Sequence, residues 1–375
     1  MNKYIYSTFL FTFISIFSYS QVLLHISKVP NDTPDSDTLY FASSINNWRA
    51  DDPKYAFTKD ISGNYRLDIQ DVSFPLEYKI TRGNWNNVET DSRGNSIDNR
   101  TIKRAKAIGD SIEVDGWYDH LYKEENTLSK NVLILDDDFY MPQLNRNRRI
   151  WIYLPESYSS SDKKYPVLYM HDGQNLFNSA SSFAGEWEVD ETMDKLIAEG
   201  NREAIIVGID NGGKFRIDEL TPFENSEYGG GDGGKYVEFI VNTLKPFVDS
   251  KYRTLSDREN TAIMGSSLGG LISFYAILKF KNIFSKAGVM SPSFWFSERI
   301  YFIPQYRENM FMKVHFSAGD SESETMLLDI DKMIEKMKKM GYPDSSYRLK
   351  VVKDGKHNEE QWRKEFLYAY KWLMN

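Results

Sequence analysis

The sequence lacks cysteine altogether: none occurs among its 375 residues. No disulfide can therefore form, and the free energy of unfolding must come from packed apolar cores. The sequence also lacks a long basic run, and its 54 Asp and Glu residues outnumber its 46 Lys and Arg residues to give a net charge of −8. This charge provides no electrostatic attraction to nucleic acid or to an anionic membrane surface, so neither is an expected partner.

Only the first twenty residues are typical of a targeting segment. Lys3 supplies a positive charge, residues 4–17 form an apolar stretch too short to span a bilayer, and small serine residues follow. This pattern predicts a signal peptide over residues 1–20, with an uncleaved membrane anchor as the alternative. We expect an exported protein, periplasmic or secreted, with no stable membrane insertion after cleavage of the signal.

The hydrophobic pattern changes along the chain, which is long enough for more than one domain. Residues 21–118 consist of short alternating runs separated by Gly and Asn turns, and this pattern predicts a small all-β, immunoglobulin-like sandwich. Residues 119–130 include a polar run and are interpreted as a linker. Residues 131–375 alternate apolar strands with amphipathic helices, a pattern that predicts an α/β domain.

One segment of the second domain combines a strand, a tight turn and a helix around a serine. An apolar strand ends at Met264, and the next five residues, Gly265-Ser266-Ser267-Leu268-Gly269, match the motif G-x-S-x-G. The glycines are needed because a sharp turn brings neighbouring backbone too close for side chains, and the turn points the serine hydroxyl toward the helix N-terminus. This context predicts an α/β-hydrolase fold with Ser267 as the nucleophile.

A serine hydroxyl is a weak nucleophile until a base removes its proton, and histidine is the expected base. The chain offers five candidates, His25, His120, His171, His315 and His357. In an α/β-hydrolase the order along the chain is nucleophile, acid, histidine. The first three histidines precede the serine, and His315 lies within an apolar strand pattern. His357, in a turn before the last helix, is therefore the predicted general base.

The acid that orients this histidine should follow a strand between the nucleophile and the base. Residues 313–318 form such a strand, and the carboxylates Asp320, Glu322 and Glu324 come next. The pattern alone leaves the choice among them open. Related hydrolases place the acid three residues after the glycine, and this offset selects Glu322, with Asp320 as the alternative.

The tetrahedral intermediate of acyl transfer needs two N–H donors aimed at its oxyanion. One is the backbone N–H of Leu268, directly after the nucleophile. The other is expected from the loop after the strand that ends at Met170, where Gln174 is the predicted donor and Gly173 permits the turn.

Four segments together resemble the esterase family of α/β-hydrolases: residues 168–177, 185–187 and 355–362, and the G-x-S-x-G motif. This family holds siderophore (enterochelin-type) esterases, feruloyl and acetyl-xylan esterases, S-formylglutathione hydrolases and mycolyltransferases. The resemblance covers residues 131–375. It implies ester hydrolysis through an acyl-enzyme, without a metal or an organic cofactor.

The same resemblance implies that Gln174 supplies an oxyanion amide and that Trp187, Arg216 and Glu219 lie near the substrate cleft. The last three also have a structural alternative, because Arg216 and Glu219 could form an ion pair and Trp187 could belong to the core.

In the N-terminal domain, residues 43–48, 78–85 and 98–100 resemble the starch- and glycogen-binding sandwich modules. The resemblance implies that Trp48 and Trp85 stack on sugar rings. Their alternative role is packing, either in the sandwich core or against the second domain.

Three functions are compatible with these observations. The first is a serine esterase acting on feruloyl- or acetyl-type groups esterified to carbohydrate, so that an ester substrate, in polysaccharide-linked form, is the expected partner. The second is a periplasmic siderophore lactone esterase. The third is a carbohydrate-binding protein on a hydrolase fold without activity, which the complete set of Ser267, His357 and a nearby acid disfavours.

Overall fold

The chain divides into two compact units, residues 1–121 and 122–375. The computed structural model describes residues 21–60, 63–92, 94–103, 111–120, 126–182, 185–303 and 311–374. The predicted signal peptide, residues 1–20, lies outside the described residues. Within them, no helix has the length and hydropathy that a membrane span requires.

The N-terminal unit is built from short β-strands. They are β1 (Gln21–Lys28), β2 (Tyr40–Ser43), β3 (Thr58–Lys59), β4 (Tyr65–Gln70), β5 (Leu76–Thr81), β6 (Glu89–Thr90), β7 (Arg100–Ile102), β8 (Ser111–Glu113) and β9 (Gly116–Trp117). The described strands form a sheet of order β3-β4-β1-β8, a second of order β2-β5-β7 and the pair β6-β9. The expected β-rich character is present, and the immunoglobulin-like arrangement stays a prediction.

Alternation along the strands builds the core of this unit. In β4, Tyr65, Leu67 and Ile69 are buried while the residues between them are exposed, because successive side chains of a strand point to opposite faces. These three side chains join Phe41 of β2 and Ile80 of β5 in one apolar cluster. Residues from two of the sheets therefore share one core.

The second unit contains one large mixed sheet and its covering helices. The strands are β10 (Val132–Met141), β11 (Arg146–Tyr153), β12 (Val167–His171), β13 (Ile205–Ile209), β14 (Thr261–Ser266), β15 (Lys286–Met290), β16 (Lys313–Gly319) and β17 (Tyr347–Val352). The helices are α1 (Val189–Ala198), α2 (Arg216–Leu220), α3 (Gly233–Phe239), α4 (Lys245–Lys251), α5 (Leu268–Lys279), α6 (Met326–Lys339) and α7 (Glu359–Met374), with a π-helical turn, Ile240–Leu244, joining α3 to α4.

The sheet has the order β10-β11-β13-β12-β14-β15-β16-β17. β10, β11 and β13 pair antiparallel, and every pairing from β13 to β17 is parallel. Every residue of β12 to β15 is buried, as parallel strands covered on both faces require. This sheet confirms the predicted α/β class.

Helices cover both faces of the sheet. Val167 and Tyr169 of β12 pack in the same cluster as α5, whereas Leu168 and Met170 pack in a second cluster with α1 and α7. The alternating side chains of one strand thus contribute to two cores. The carboxyl ends of the parallel strands meet at one edge between these layers, which is where ligands bind in open α/β sheets.

Candidate active site

Ser267 occupies the turn between β14 and α5 and has the strained dihedral angles φ 56° and ψ −121°. A non-glycine residue with positive φ is uncommon and persists only where the surroundings over-determine it. Here the Ser267 N–H donates to the Met290 carbonyl at 2.9 Å. A Cβ on Gly265 would lie 2.9 Å from both the Gly269 carbonyl carbon and His171 Cδ2. The turn therefore requires glycine at this motif position.

His357 and Glu322 lie together at the same edge of the sheet. His357 Nδ1 is 2.8 Å from Glu322 Oε2, and the side chain of Glu322 is buried while that of His357 is about one third exposed. Glu322 follows β16 and His357 follows β17, so adjacent parallel strands bring the two residues together. A buried acid holding an accessible imidazole is the arrangement that general base catalysis needs.

The second oxygen of Glu322 is fully engaged. Oε1 accepts hydrogen bonds from the Gly319 N–H at 2.5 Å, Gln361 Nε2 at 2.6 Å and Ser291 Oγ at 2.8 Å. Burial by itself raises the pKa of Glu322, but the hydrogen bond and charge of His357, with the donors at Oε1, outweigh burial and hold this pKa below its ordinary value. Glu322 is therefore a carboxylate that can stabilise an imidazolium.

The alternative acid, Asp320, has other partners. Its Oδ1 accepts the Asp354 N–H at 2.7 Å and the Ser321 hydroxyl at 3.2 Å. Asp320 therefore stabilises the turn after β17, and Glu322 is the carboxylate that the structure places against His357.

The hydroxyl of Ser267 has a different partner from the one that the chemistry requires. Ser267 Oγ lies 3.2 Å from Ser293 Oγ, and among the described residues no hydrogen bond joins it to His357. Contacts between a nucleophile and its base are often loose without substrate and tighten in the substrate complex. Attack on an ester therefore requires Ser267 Oγ to exchange Ser293 for Nε2 of His357.

The two predicted oxyanion donors lie in segments that follow β14 and β12 at this edge of the sheet. Leu268 is the first residue of α5, and Gln174 lies in a 3-10 turn, Gly173–Asn175, after β12. Gln174 Oε1 accepts the Asn211 N–H at 3.1 Å, which ties its loop to the segment after β13. A Cβ on Gly173 would lie 2.8 Å from backbone atoms of Ile209, so this close approach requires glycine.

Arg216 forms an ion pair that sequence reasoning missed. Its Nε and Nη2 donate to Asp172 Oδ1 and Oδ2 at 2.7 and 2.9 Å, and Asn211 Nδ2 donates to Asp172 Oδ1 at 2.8 Å. Burial acts to raise the pKa of Asp172, but the guanidinium of Arg216 outweighs it and the pKa is lowered. Burial and the charge of Asp172 raise the pKa of the neighbouring Glu359 to about 8. Asp172 lies in residues 168–177, one of the segments that resemble the esterase family, and this position was the sequence signal that could have pointed to it.

The suggested ion pair between Arg216 and Glu219 is wrong. Glu219 is 1% exposed and accepts hydrogen bonds from Arg146 Nη1 at 2.9 Å and from Arg148 Nη2 at 2.7 Å. Both arginines belong to β11, so their pairing with Glu219 depends on the fold and has no local sequence signal. Two guanidinium groups occupy this carboxylate, which favours a structural role over contact with substrate.

Trp187 lies in the core of the second unit. It is 4% exposed, and its ring centroid is 6.0 Å from that of Trp362 of α7. This burial agrees with the core alternative. Trp362 itself connects to the acid, because its Nε1 donates to Ser291 Oγ at 2.9 Å and Ser291 Oγ donates to Glu322. Sequence reasoning missed Ser291, whose positive φ of 42° leaves no recognisable motif.

Trp48 and Trp85, in the N-terminal unit, lie side by side. Their ring centroids are 6.3 Å apart with an interplanar angle of 39°, and both side chains are half-buried. Both rings remain partly accessible, and neither belongs to the buried core cluster of this unit.

The strand order, the strained serine turn and the paired acid and histidine define a serine hydrolase fold and site. Residues 141–373 match the family model described as "Putative esterase", and the chain belongs to this esterase family, so it is a carboxylic ester hydrolase.

Parts of the chain are also similar to individual known proteins. The chain is 27% identical to the uncharacterized protein YbbA of Bacillus subtilis over 241 residues, which cover 60% of this chain and 92% of that protein. It is 26% identical to an endo-1,4-beta-xylanase/feruloyl esterase of Xylanibacter ruminicola over 199 residues, 51% of this chain and 25% of that protein. A stretch of 94 residues, 24% of this chain, is 37% identical to 7% of an alpha-amylase of Niallia circulans.

Among solved structures, a ferulic acid esterase superimposes with a TM-score of 0.52 at 22% identity, covering 65% of this chain and 98% of that one. The enterobactin esterase FES of Shigella flexneri superimposes with a TM-score of 0.50 at 14% identity, covering 95% of this chain and 92% of that one. At these identities the similarity is one of fold.

Proposed function

We propose that the protein is an exported serine esterase that removes feruloyl- or acetyl-type groups from carbohydrate through an acyl-enzyme on Ser267. The observation that carries the reaction is the 2.8 Å contact between His357 and the buried Glu322 beside a strained serine turn. The signal peptide that the sequence predicts for residues 1–20 supports the proposed location.

In the proposed reaction, His357 Nε2 accepts the proton of Ser267 Oγ as this oxygen attacks the ester carbonyl carbon. Glu322 holds Nδ1–H and stabilises the imidazolium. The N–H groups of Leu268 and Gln174 stabilise the oxyanion. Nε2 then protonates the leaving alcohol, and a water molecule, deprotonated by the same nitrogen, hydrolyses the acyl-enzyme and regenerates Ser267.

The preference for a carbohydrate-linked ester rests on two observations. Trp48 and Trp85 form a pair of partly accessible aromatic faces, and aromatic faces bind the apolar surfaces of sugar rings. The feruloyl esterase and alpha-amylase relatives, named above, act on polysaccharides by their names. A siderophore lactone esterase is the second candidate, because the fold similarity to the enterobactin esterase extends over 95% of the chain.

The reaction is tested by measuring hydrolysis of p-nitrophenyl acetate, methyl ferulate, feruloylated xylan and a catecholate trilactone, with Ser267→Ala as the inactive control. We expect turnover of the first three that is absent in the variant. Turnover of the trilactone alone would favour the siderophore candidate. A folded protein without turnover on any ester would favour the non-catalytic binder.

The role of the N-terminal unit is tested with the double variant Trp48→Ala/Trp85→Ala. We expect weaker retention on insoluble xylan or starch and a higher KM for feruloylated xylan, while the KM for methyl ferulate stays the same. Tyr140→Ala, which removes an exposed aromatic side chain of β10, is the matched control. Equal retention of both variants would contradict sugar binding by the tryptophans.

A further inference from the structure

Three carboxylates converge at the start of α1, outside the acid–base pair described above. They belong to Glu186, Asp190 and Glu191, and one oxygen of each lies within 4.8 Å of the oxygens of the other two. Calcium binds oxygen ligands at about 2.3–2.6 Å, so two ligand oxygens of one ion lie at most about 5 Å apart. The three oxygens can therefore reach a single calcium ion.

Asp190 is the most constrained member of this cluster. It is 0% exposed, and its Oδ2 accepts the Ser129 N–H at 3.0 Å. Its Oδ1 is buried without a hydrogen-bond partner among the described residues, although its carboxyl group lies within hydrogen-bond reach of that of Glu191. A buried carboxylate oxygen without a donor is costly, and a cation or a proton must compensate it.

The described partners of Asp190 and Glu191 supply no positive charge. Glu186 is buried and accepts a hydrogen bond from the neutral hydroxyl of Thr127, 2.9 and 3.0 Å from its two oxygens. Within the described part of the chain, no Lys or Arg forms an ion pair with Asp190 or Glu191. Two arrangements can relieve the repulsion: a proton shared by Asp190 and Glu191, or a divalent cation.

We propose that Glu186, Asp190 and Glu191 bind one structural calcium ion. The donor set consists of oxygen atoms alone, which disfavours zinc and copper because these metals prefer nitrogen and sulfur ligands. Glu191 is exposed, so water can complete the coordination sphere from that side. Calcium accepts such an irregular, partly hydrated site more readily than magnesium, which demands near-octahedral geometry at about 2.0–2.1 Å.

An ion at this position would be connected to the acid of the esterase site through packed side chains. Trp187 is next to Glu186 in the chain and packs on Trp362, whose Nε1 donates to Ser291, the partner of Glu322. The ion would fix the loop between the oxyanion turn and α1. It takes no part in the reaction, so this proposal does not depend on the substrate.

The test is titration of the purified, EDTA-treated protein with calcium chloride, followed by calorimetry and by thermal unfolding. We expect one calcium ion per chain, with a Kd on the order of 10⁻⁵ to 10⁻³ M, and a higher Tm with calcium. Magnesium chloride should bind more weakly and raise the Tm less.

Two variants and one control locate the site. Glu191→Gln, at an exposed position, should weaken calcium binding by about tenfold or more, since one charged ligand is lost. Asp190→Asn should abolish the effect of calcium on Tm. Glu335→Gln removes an exposed carboxylate from α6 and should respond like the wild type.

Either of two results would overturn the proposal. One is an absence of binding heat and of any Tm shift in the wild type up to about 10 mM calcium, which would leave the shared proton as the explanation. The other is an unchanged calcium affinity in Glu191→Gln. If Asp190→Asn does not fold, Glu191→Gln still decides. Ester hydrolysis is not the readout, so failure here is distinct from failure of the proposed function.

Discussion

Glu322→Gln is the substitution for which the structure allows the sharpest prediction. Three donors, from Gly319, Ser291 and Gln361, converge on Oε1 at 2.5–2.8 Å, while Oε2 faces His357 Nδ1. A glutamine side chain cannot place its NH₂ group at Oε1, because that group would meet three donors. It must keep its carbonyl oxygen there and direct the NH₂ group toward His357.

This orientation reverses the tautomer of the histidine. The NH₂ group donates to Nδ1, so the proton of the neutral imidazole moves to Nε2, the atom that must accept the proton of Ser267. The corresponding change of acid to amide in a chymotrypsin-type triad lowers kcat by about 10⁴-fold. We expect a loss of the same size here, equivalent to about 5 kcal/mol of transition-state stabilisation.

The assay is the kcat for p-nitrophenyl acetate, with circular dichroism to verify folding. Asp320→Asn is the matched control, because its Oδ1 can still accept the Asp354 N–H, and we expect a kcat within about threefold of the wild type. Because the expected loss is about 10⁴-fold, the reasoning is refuted if Glu322→Gln retains about a tenth or more of the wild-type kcat. It is also refuted if Asp320→Asn loses as much kcat as Glu322→Gln.

Three further predictions concern the residues around the site. Ser291→Ala leaves the buried Nε1 of Trp362 without its acceptor, so we expect urea unfolding to show a loss of about 1–3 kcal/mol; no loss would contradict this role. Gly265→Ala places a Cβ 2.9 Å from backbone and from His171, and kcat should fall by about 100-fold or more as the turn shifts. Burial lowers the pKa of His171 from 6.5 to about 4, so only the unfolded chain gains this proton between these values. The free energy of unfolding should therefore fall by about 3 kcal/mol from this group as pH falls from 6.5 to 4, and His171→Asn should flatten this dependence in urea titrations.

The sequence predicted the elements of the second unit because their patterns are local. Residues 165–170 and the continuous apolar run 204–209 predict the strands observed as β12 and β13. Residues 325–340 and 359–374 predict two helices, and the ends of α6 and α7 lie within one residue of these bounds. The apolar spacing of residues 236–248 predicts a helix there, and in the structure the helical segment is longer, since α3 begins at Gly233. Glycine is a weak helix former, so the pattern gives no reason to begin the helix at Gly233 or Gly234.

The site was predictable to the extent that it depends on motifs. The serine turn has a recognisable local sequence, and the order of residues along the chain directs attention to His357 and to a carboxylate after β16. The Arg216–Asp172 pair and the two arginines on Glu219 were missed. They depend on which strands are neighbours, and no local pattern specifies the strand order.

Four of the six described non-glycine residues of the second unit with positive φ lie at the edge of the sheet where the chemistry is proposed. Asp172, Ser267, Ser291 and Asp354 all have positive φ, and all follow parallel strands at the carboxyl edge of the sheet. Such conformations cost about 1–3 kcal/mol each and persist only where other contacts impose them. Concentration of strain at one edge is therefore a sign that the edge is constrained by function.

Hydrogen bonds between neighbouring strand ends impose this strain. The N–H of Ser267, after β14, donates to Met290 at the end of β15 at 2.9 Å, and the N–H of Ser291, the next residue, donates to Ser317 of β16 at 2.7 Å. The hydroxyl of Ser291 then contacts Glu322. Met290 and Ser291, two consecutive residues at the end of β15, thus contact the nucleophile and the acid respectively. A substitution that relaxes Ser291 should disturb Ser267 and Glu322 together, so the effects of Ser291→Ala and Glu322→Gln on kcat should be non-additive.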